Sequence, residues 1–338
     1  MQLAVFAPNC PSPMPEPTLA LCIPAYNAAW CLPRLLESAA AQTVPFDEIL
    51  VYDDGSTDDT AAVARAHGAG VVTGGANVGC SAGKNRLAEA ATSEWLHFHD
   101  ADDDILPTLS ERVRVWTQRE DAPDVLLLHY EYRDFETGEH LGEPSYDADL
   151  MRRDPVAFVL QYKVPNFGVY RRHAFLGAGG FDLDPAVLFN EDAAVHHRLA
   201  LAGLRFDYEP ELTCLNYRYG ASMSVSNAQK CASAQVAVLD KTTAALRARG
   251  DLARYADVLA DDFWAAGTFA AASQDWASAA QAARAAASLG HRTPPTGGPA
   301  FRALATLHGP LALRLREQAI RTLRPQLRES SVSTHTTP

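Results

Sequence analysis

Three polar, mainly acidic loops follow apolar runs early in the chain, at Ala25-Tyr26-Asn27, Asp53-Asp54-Gly55-Ser56 and Asp100-Ala101-Asp102-Asp103, and their residue types suit a charged ligand. Asp100 and Asp102, two apart after EWLHFH, can serve one divalent cation and the groups bound to it. Magnesium and manganese prefer oxygen ligands of this kind and bridge diphosphates. An isolated pair of this spacing also occurs in solvated turns; its place directly after an apolar run favours the binding reading. Asp53 and Asp54 close the run EILVY, where a carboxylate can accept from a base N–H or from ribose hydroxyls. The same turn reads as a helix cap through Ser56 and Asp58. The segment Asn77-Val78-Gly79-Cys80-Ser81-Ala82-Gly83-Lys84-Asn85 opens a helix, where glycines let backbone approach an anion and Lys84 adds charge. An ordinary strand-to-helix turn accounts for that segment equally well. Glu191 and Asp192 begin a later helix, either as dipole partners of its first turn or as a general base for an acceptor hydroxyl.

The elements that must position these groups alternate. LALCIPAY (19–26) reads as a strand, and residues 30–42 set Leu32, Leu35, Leu36 and Ala39 on one helical face. EILVYDD (48–54) is a second strand, followed by a helix that Gly68 closes. AGVVTG, a helix over 81–92, EWLHFHD (94–100) and a helix over 107–120 continue the pattern. Such alternation predicts an α/β fold, a Rossmann-like, mostly parallel sheet flanked by helices, with ligands at the carboxyl ends of the strands. VLLLHYEY, NFGVYRR (166–172) and LTCLNYRYG (212–220) read as later strands and 190–203 as a helix. Beyond 228 the composition turns to Ala-rich helix, and FAAASQDWASAAQAARAAASLG reads as a helix pair. A linker, RTPPTGGP (292–299), precedes a basic helix over 300–324. The resulting expectation is a flexible leader (1–17), a nucleotide-binding catalytic domain (18–227), a helical extension (228–325) and a disordered tail (326–338).

The chain has 338 residues and a net charge of −12, which argues against general nucleic-acid binding. No apolar run reaches the length of a spanning helix. The leader has neither basic start nor apolar core, so a cytoplasmic setting is expected. Cys10, Cys22, Cys31, Cys80, Cys214 and Cys231 form no C-x-x-C pair and read as reduced thiols, with no zinc site and no disulfide framework.

Taken in order, these segments resemble the family 2 inverting glycosyltransferases of the GT-A fold over residues 19–225. The resemblance runs through Ile23-Pro24-Ala25-Tyr26-Asn27, Asp53-Asp54-Gly55-Ser56-Thr57-Asp58, Asn77-Val78-Gly79 with Asn85, and Asp100-Ala101-Asp102-Asp103. It continues in Gly179-Gly180-Phe181-Asp182, Glu191-Asp192, Tyr217-Arg218-Tyr219 and Ser222-Met223-Ser224. It implies that Pro24, Tyr26, Asp53, Asp54, Asn77, Gly79, Lys84, Asp100 and Ala101 face a nucleotide-sugar, with UDP the family tendency. It further implies that Asp102 holds Mg2+ or Mn2+ and that Asp192 deprotonates the acceptor. Gly180, Phe181, Asp182 and Glu191 would shape the acceptor side. Lys84 stands where the family usually has arginine, and a lysine cannot form the planar fork. Leu183 and Gly220 also depart from common family residues.

The implied role is sugar transfer to a glycan or lipid-linked acceptor in cell-surface glycan or polysaccharide synthesis. A sugar-phosphate nucleotidyltransferase would need a Gly-rich basic loop where this chain has PAYNAAW. An inactive scaffold acting through its helical tail is the competitor from another class. His196, His197 and Arg198 read as structural, as do Trp264 and Trp276, while Arg218 reads equally as a phosphate contact or as packing. The basic terminal helix offers peripheral contact with an anionic membrane, or packing on its own domain or on a second subunit in a homodimer.

Overall fold

The computed structural model describes residues 16–165, 167–219 and 227–328. Expectations placed on 1–15, Asn166, Gly220, Ser222-Met223-Ser224 and 329–338 lie outside these residues.

The first strand, β1 (Leu19–Ala25), is buried on both faces, as a parallel central strand must be. Leu19, Leu21, Ile23 and Ala25 enter one core; Ala20 and Cys22 enter the other. The apolar side of α1 (Leu32–Ala40) covers the first of these faces. Then come β2 (Glu48–Asp53), α2 (Thr60–Ala66), β3 (Gly70–Thr73), α3 (Cys80–Ala90), β4 (Trp95–Phe98), β5 (Asp104–Ile105) and α4 (Leu109–Thr117). Gly83 lets α3 lie close on β2, since a Cβ there would stand 2.6 Å from the Tyr52 ring.

The middle of the chain holds β6 (Val125–Asp134), β7 (His140–Gly142), α5 (Ala148–Arg153), α6 (Pro155–Gln161), β8 (Gly168–Arg171), α7 (Arg172–Gly177), α8 (Glu191–Leu201) and β9 (Phe206–Arg218). The sheet order is β3-β2-β1-β4-β8-β6-β9-β5, with β7 on β6. Strands β3, β2, β1 and β4 are parallel, as are β6 and β9. β8 is antiparallel to both β4 and β6, so the sheet as a whole is mixed. Apolar runs such as Val125–Leu128 look alike in either direction, so strand sense beyond β4 was not readable from the pattern.

Four helices follow: α9 (Ala228–Arg249), α10 (Leu252–Ala272), α11 (Trp276–Ser288) and α12 (Pro299–Leu323). The break between α10 and α11 falls at Gln274, at φ +62, and Asp275 caps α11 through the Ser278 amide. One continuous core runs from Phe98 and Val195 beneath the sheet out to Trp264, Ala282 and Leu313. Arg254 and Tyr255 of α10 also bind the Asp154 carboxylate. Of the last residues, Arg328 closes on Glu317. Among the described residues no helix is long and apolar enough to cross a membrane.

Candidate active site

The carboxyl ends of β1, β2 and β4 open on one side of the sheet, and two cavities lie there. The first, about 240 Å³, is lined by Pro24, Tyr26, Trp30, Asp54, Asp100 and Tyr219, with Gly79, Ala101 and Asp102 also on its wall. The second, about 370 Å³, takes in Pro165, Phe167, Glu191, Asp192, Asn216 and Arg218. Cys80, Asp100, Asp102 and Tyr219 line both.

The loops around the first cavity are locked to one another. Asn27, at φ +49, accepts the Thr57 amide at its side-chain oxygen at 2.8 Å and donates its own N–H to the Ser56 hydroxyl oxygen. Asparagine tolerates that left-handed conformation better than most residues. Asp54 is buried and accepts the amides of Val78 and Gly79 at 2.7 and 2.9 Å, which ties the end of β2 to the start of α3.

Asp102 and Asp100 have different surroundings. Tyr219 donates its hydroxyl to Asp102. Burial first, then the neighbouring Asp100, pushes the Asp102 carboxyl above the usual carboxylate range. Asp103 is committed elsewhere, to the Asn216 side chain and the Tyr217 amide, and Asp104 to Arg34 and the Tyr217 hydroxyl. Two oxygen donors on one wall, with their charges unfavourably close, are a donor set that suits a hard dication. Asp100 and Asp102 would hold it.

Lys84 carries the main correction to the sequence reading. Its side chain is 1% exposed and lines neither cavity, so it does not present its charge to a phosphate or base. Instead Nζ stands 3.1 Å from Asp100 and 3.9 Å from Asp192, with the Phe181 ring 5.2 Å away. Burial disfavours the ammonium, but Asp100, Cys80, Asp192 and Glu191 outweigh that and hold its pKa well above the ordinary lysine value. Beside it, burial, then Asp192, raises the Glu191 carboxyl to about 8, so Glu191 is mostly protonated at neutral pH.

Other expected site residues fall differently as well. Asp53 accepts the Ser56 amide and closes its own turn, while Asn77 is exposed, its backbone amide against Gly55. Neither lines a cavity. Gly180, Phe181 and Asp182 were expected along the acceptor side but act as a clamp. Phe181 is buried against Phe98 and Phe175, and its N–H and C=O are both held by the Asn85 side chain. A Cβ on Gly180, at φ +58, would stand 2.4 Å from the same Asn85. Asp182 pairs with Arg198 and with Lys241 of α9. Phe181→Ala is therefore expected to cost about 3–5 kcal/mol of stability, as for a buried aromatic truncation, measured by denaturant unfolding.

His196 is held by Tyr170 and the Asp192 carbonyl, and His197 by Thr242 and the Val159 carbonyl; both are buried and neutral. Arg218 lines the second cavity and lies over the Tyr132 ring. The residues to which sequence reasoning gave no role in the site are mostly aromatic, although Tyr217 and Tyr219 stand in a motif of the resemblance. Trp30, Phe135, Tyr217 and Tyr219 pack edge to face into a roof over the Asp102 loop, with the Arg34 guanidinium 4.2 Å from the Tyr217 ring. Tyr219 is 117 positions from Asp102, a pairing no local pattern reports.

His97, His99 and Cys214 come close enough to share an ion. Hydrogen bonding accounts for three of the four ring nitrogens. His97 Nδ1 meets the Gly168 carbonyl, its Nε2 meets His99 Nδ1 at 3.1 Å, and the Asp104 carbonyl faces the His99 ring, whose buried Nε2 makes no hydrogen bond among the described residues. The chain of contacts braces the acidic loop from below.

Fold and site together define a GT-A glycosyltransferase architecture. Residues 20–177 match the glycosyl transferase family 2 model, and the chain carries a domain of that family. The uncharacterized glycosyltransferase YibD of Escherichia coli K12 is 34% identical over 125 residues, 36% of each chain. A PGL/p-HBAD biosynthesis glycosyltransferase of Mycobacterium bovis is 33% identical over 97 residues, 27% of this chain and 38% of that one. The matched stretch thus spans about a third of those relatives. Among solved structures, S. aureus TarS 1–349 in complex with UDP-GlcNAc has a TM-score of 0.65 at 17% identity, covering 90% of this chain and 92% of that one. The mannosyltransferase PcManGT of Pyrobaculum calidifontis, with GDP-Man and Mn2+, has a TM-score of 0.53 at 18% identity, covering 96% and 88%.

Proposed function

We propose that this chain is an inverting glycosyltransferase that moves a sugar from a nucleotide-sugar, of UDP type, to a hydroxyl of a glycan or lipid-linked acceptor. One observation carries the reading: the two cavities share a wall made by Asp100 and Asp102. A nucleotide in the first cavity, between Tyr26 and Asp54, brings its diphosphate to that wall. An acceptor in the second lies between the wall and Asp192. Asp192 takes the acceptor proton as the hydroxyl oxygen bonds to the anomeric carbon. The bond from that carbon to the diphosphate breaks on the opposite face, and the nucleoside diphosphate leaves with the electron pair. The configuration is inverted.

A divalent ion held by Asp100 and Asp102, magnesium or manganese, would offset the charge of the diphosphate. Lys84 keeps Asp100 and Asp192 in place beside each other, and burial holds the Glu191 carboxyl above its ordinary range, which favours Asp192 as the carboxylate that works. The relatives of known ligand support the donor class: TarS binds UDP-GlcNAc and PcManGT binds GDP-Man with Mn2+. We place the reaction in the cytoplasm, in the making of a cell-surface glycan.

The test is calorimetric titration with UDP, GDP and dTDP, each with and without Mn2+, on the wild type and Asp102→Ala. UDP is expected to bind in a metal-dependent way, and at least roughly tenfold more weakly to the variant, 1.4 kcal/mol or more. Failure of every nucleotide to bind would remove the donor site and bring forward a scaffold role for the helices.

A further inference from the structure

The last helix presents an apolar surface that the transfer reaction does not use. α12 is broken at His308, whose backbone is non-helical at φ −153 and ψ 86, two residues before Pro310. The break is seated against the helices beneath it: a Cβ on Gly309 would stand 2.9 Å from Trp264 and 3.1 Å from Ala283. The two arms, 299–307 and 309–323, then lean together, so that the Arg316 guanidinium lies 5.3 Å over the Phe301 ring. Between them is an apolar groove of about 540 Å³, lined by Phe301, Leu304, Leu315, Ile320, Leu323 and Leu327, with Arg316 and Arg324 on its wall.

The inner side of α12 is satisfied. Ala305, Ala312, Leu313 and Glu317 are buried, and Glu317 is held by Arg321 and Arg328. The outer side is different. Leu307, Leu311, Leu315 and Leu323 are exposed at a spacing of four, with exposed Ala319 completing the row and Leu327 extending it past the helix end. Leu307 is 84% and Leu323 76% exposed. Leu311 and Leu315, four apart on the second arm, share a face, and Leu315, Leu323 and Leu327 line the groove with Ile320, so the exposed leucines of this arm and the groove form one apolar surface, the mark of a docking site.

Charge identifies the occupant. Residues 299–328 hold six arginines against one glutamate, Glu317, on a chain whose net charge is −12. A second copy of the surface would set arginine against arginine. An anionic lipid surface takes both features, leucines entering the acyl boundary and arginines meeting headgroups. We infer that α12 docks the protein in the plane of an anionic membrane surface through the apolar surface of Leu311, Leu315, Leu323 and Leu327, with Arg316 and Arg324 at the headgroups.

The experiment is sedimentation of the full chain with vesicles of phosphatidylcholine alone and of phosphatidylcholine mixed with phosphatidylglycerol. The wild type is expected to sediment with the mixed vesicles only and to be released by high salt. The double variants L315E/L323E and R316E/R324E should each lower the bound fraction roughly tenfold or more. Asp102→Ala should sediment like the wild type, which separates this surface from the donor site. Absence of binding to the mixed vesicles overturns the inference, as does equal binding by R316E/R324E. So does a dimer in light scattering without vesicles that L315E/L323E dissociates, since the apolar surface would then be covered by a second copy. Should L315E/L323E fail to fold, R316E/R324E decides alone, because Arg324 is exposed and Arg316 is half-buried at the groove wall and neither enters the core.

Discussion

Asp192→Asn is expected to lower sugar transfer by roughly 10²–10⁴-fold, the range for loss of a positioned general base, with UDP affinity unchanged. The argument rests on where the residue lies. Asp192 is in the first turn of α8 and lines the second cavity only, so the nucleotide cavity does not depend on it. The substitution keeps size and removes only the charge. Glu191 is the nearest group that could stand in, and at neutral pH it is mostly protonated, with its pKa raised to about 8 by burial and by Asp192 itself. Removing the Asp192 charge relieves the second of these, so Glu191 ionises at lower pH in the variant. Residual transfer should therefore rise with pH as Glu191 loses its proton. Transfer rates from pH 6 to 9 with donor titrations on the same variant check both parts. Wild-type transfer by Asp192→Asn would remove the residue from the chemistry. A matching loss of UDP binding would move it into the donor site.

The sequence was most informative where local chemistry and chain direction coincide. Apolar runs ending in Asp53-Asp54 and Asp100-Ala101-Asp102 announce parallel strands with ligand-facing ends, and the structure puts Asp54, Asp100 and Asp102 on one cavity wall. Contacts made across the fold were not legible. Nothing near Asp102 points to Tyr219, and nothing in the Gly179–Asp182 segment says that Phe181 turns inward while Asp182 reaches Lys241 of α9. A glycine-rich loop before a helix looks the same whether it faces solvent or closes a core. Burial decides, and burial is set by helices some sixty residues further on, as the Asp182–Lys241 separation of 59 positions shows. Lys84 illustrates the same limit. A lysine after a glycine-rich turn reads as a phosphate ligand, and only the approach of α8 turns it into the partner of two carboxylates.

That difference makes Lys84→Met the second decisive substitution. In the structure the ammonium is the cation facing Asp100, Asp192 and Glu191 from inside the core. Methionine fills similar volume but leaves those groups facing one another. Loss of one partner from a buried ion pair costs about 3–5 kcal/mol when the remaining charge is also buried. Here the Asp100 and Asp192 side chains are 43% and 32% exposed, so water screens much of the penalty and about 1–3 kcal/mol is expected. Without the ammonium, Glu191 also loses an influence that lowers its pKa, so it holds its proton to higher pH. The base loses its fixed position, and transfer should fall roughly 10²-fold, as a misplacement of about 1 Å near the reacting atoms does. UDP affinity should fall less than turnover, because the side chain does not line the first cavity and acts on the donor only through Asp100. A phosphate-binding lysine gives the opposite pattern: weaker UDP binding, unaltered stability, and a KM effect larger than the kcat effect. Denaturant unfolding, UDP titration and steady-state rates on the one variant separate the two. Lys84→Arg sharpens the comparison. At a phosphate site arginine would serve as well or better, whereas for a side chain buried beneath Asp100 and against the Phe181 ring the larger head must displace its packed neighbours, and both stability and turnover should drop.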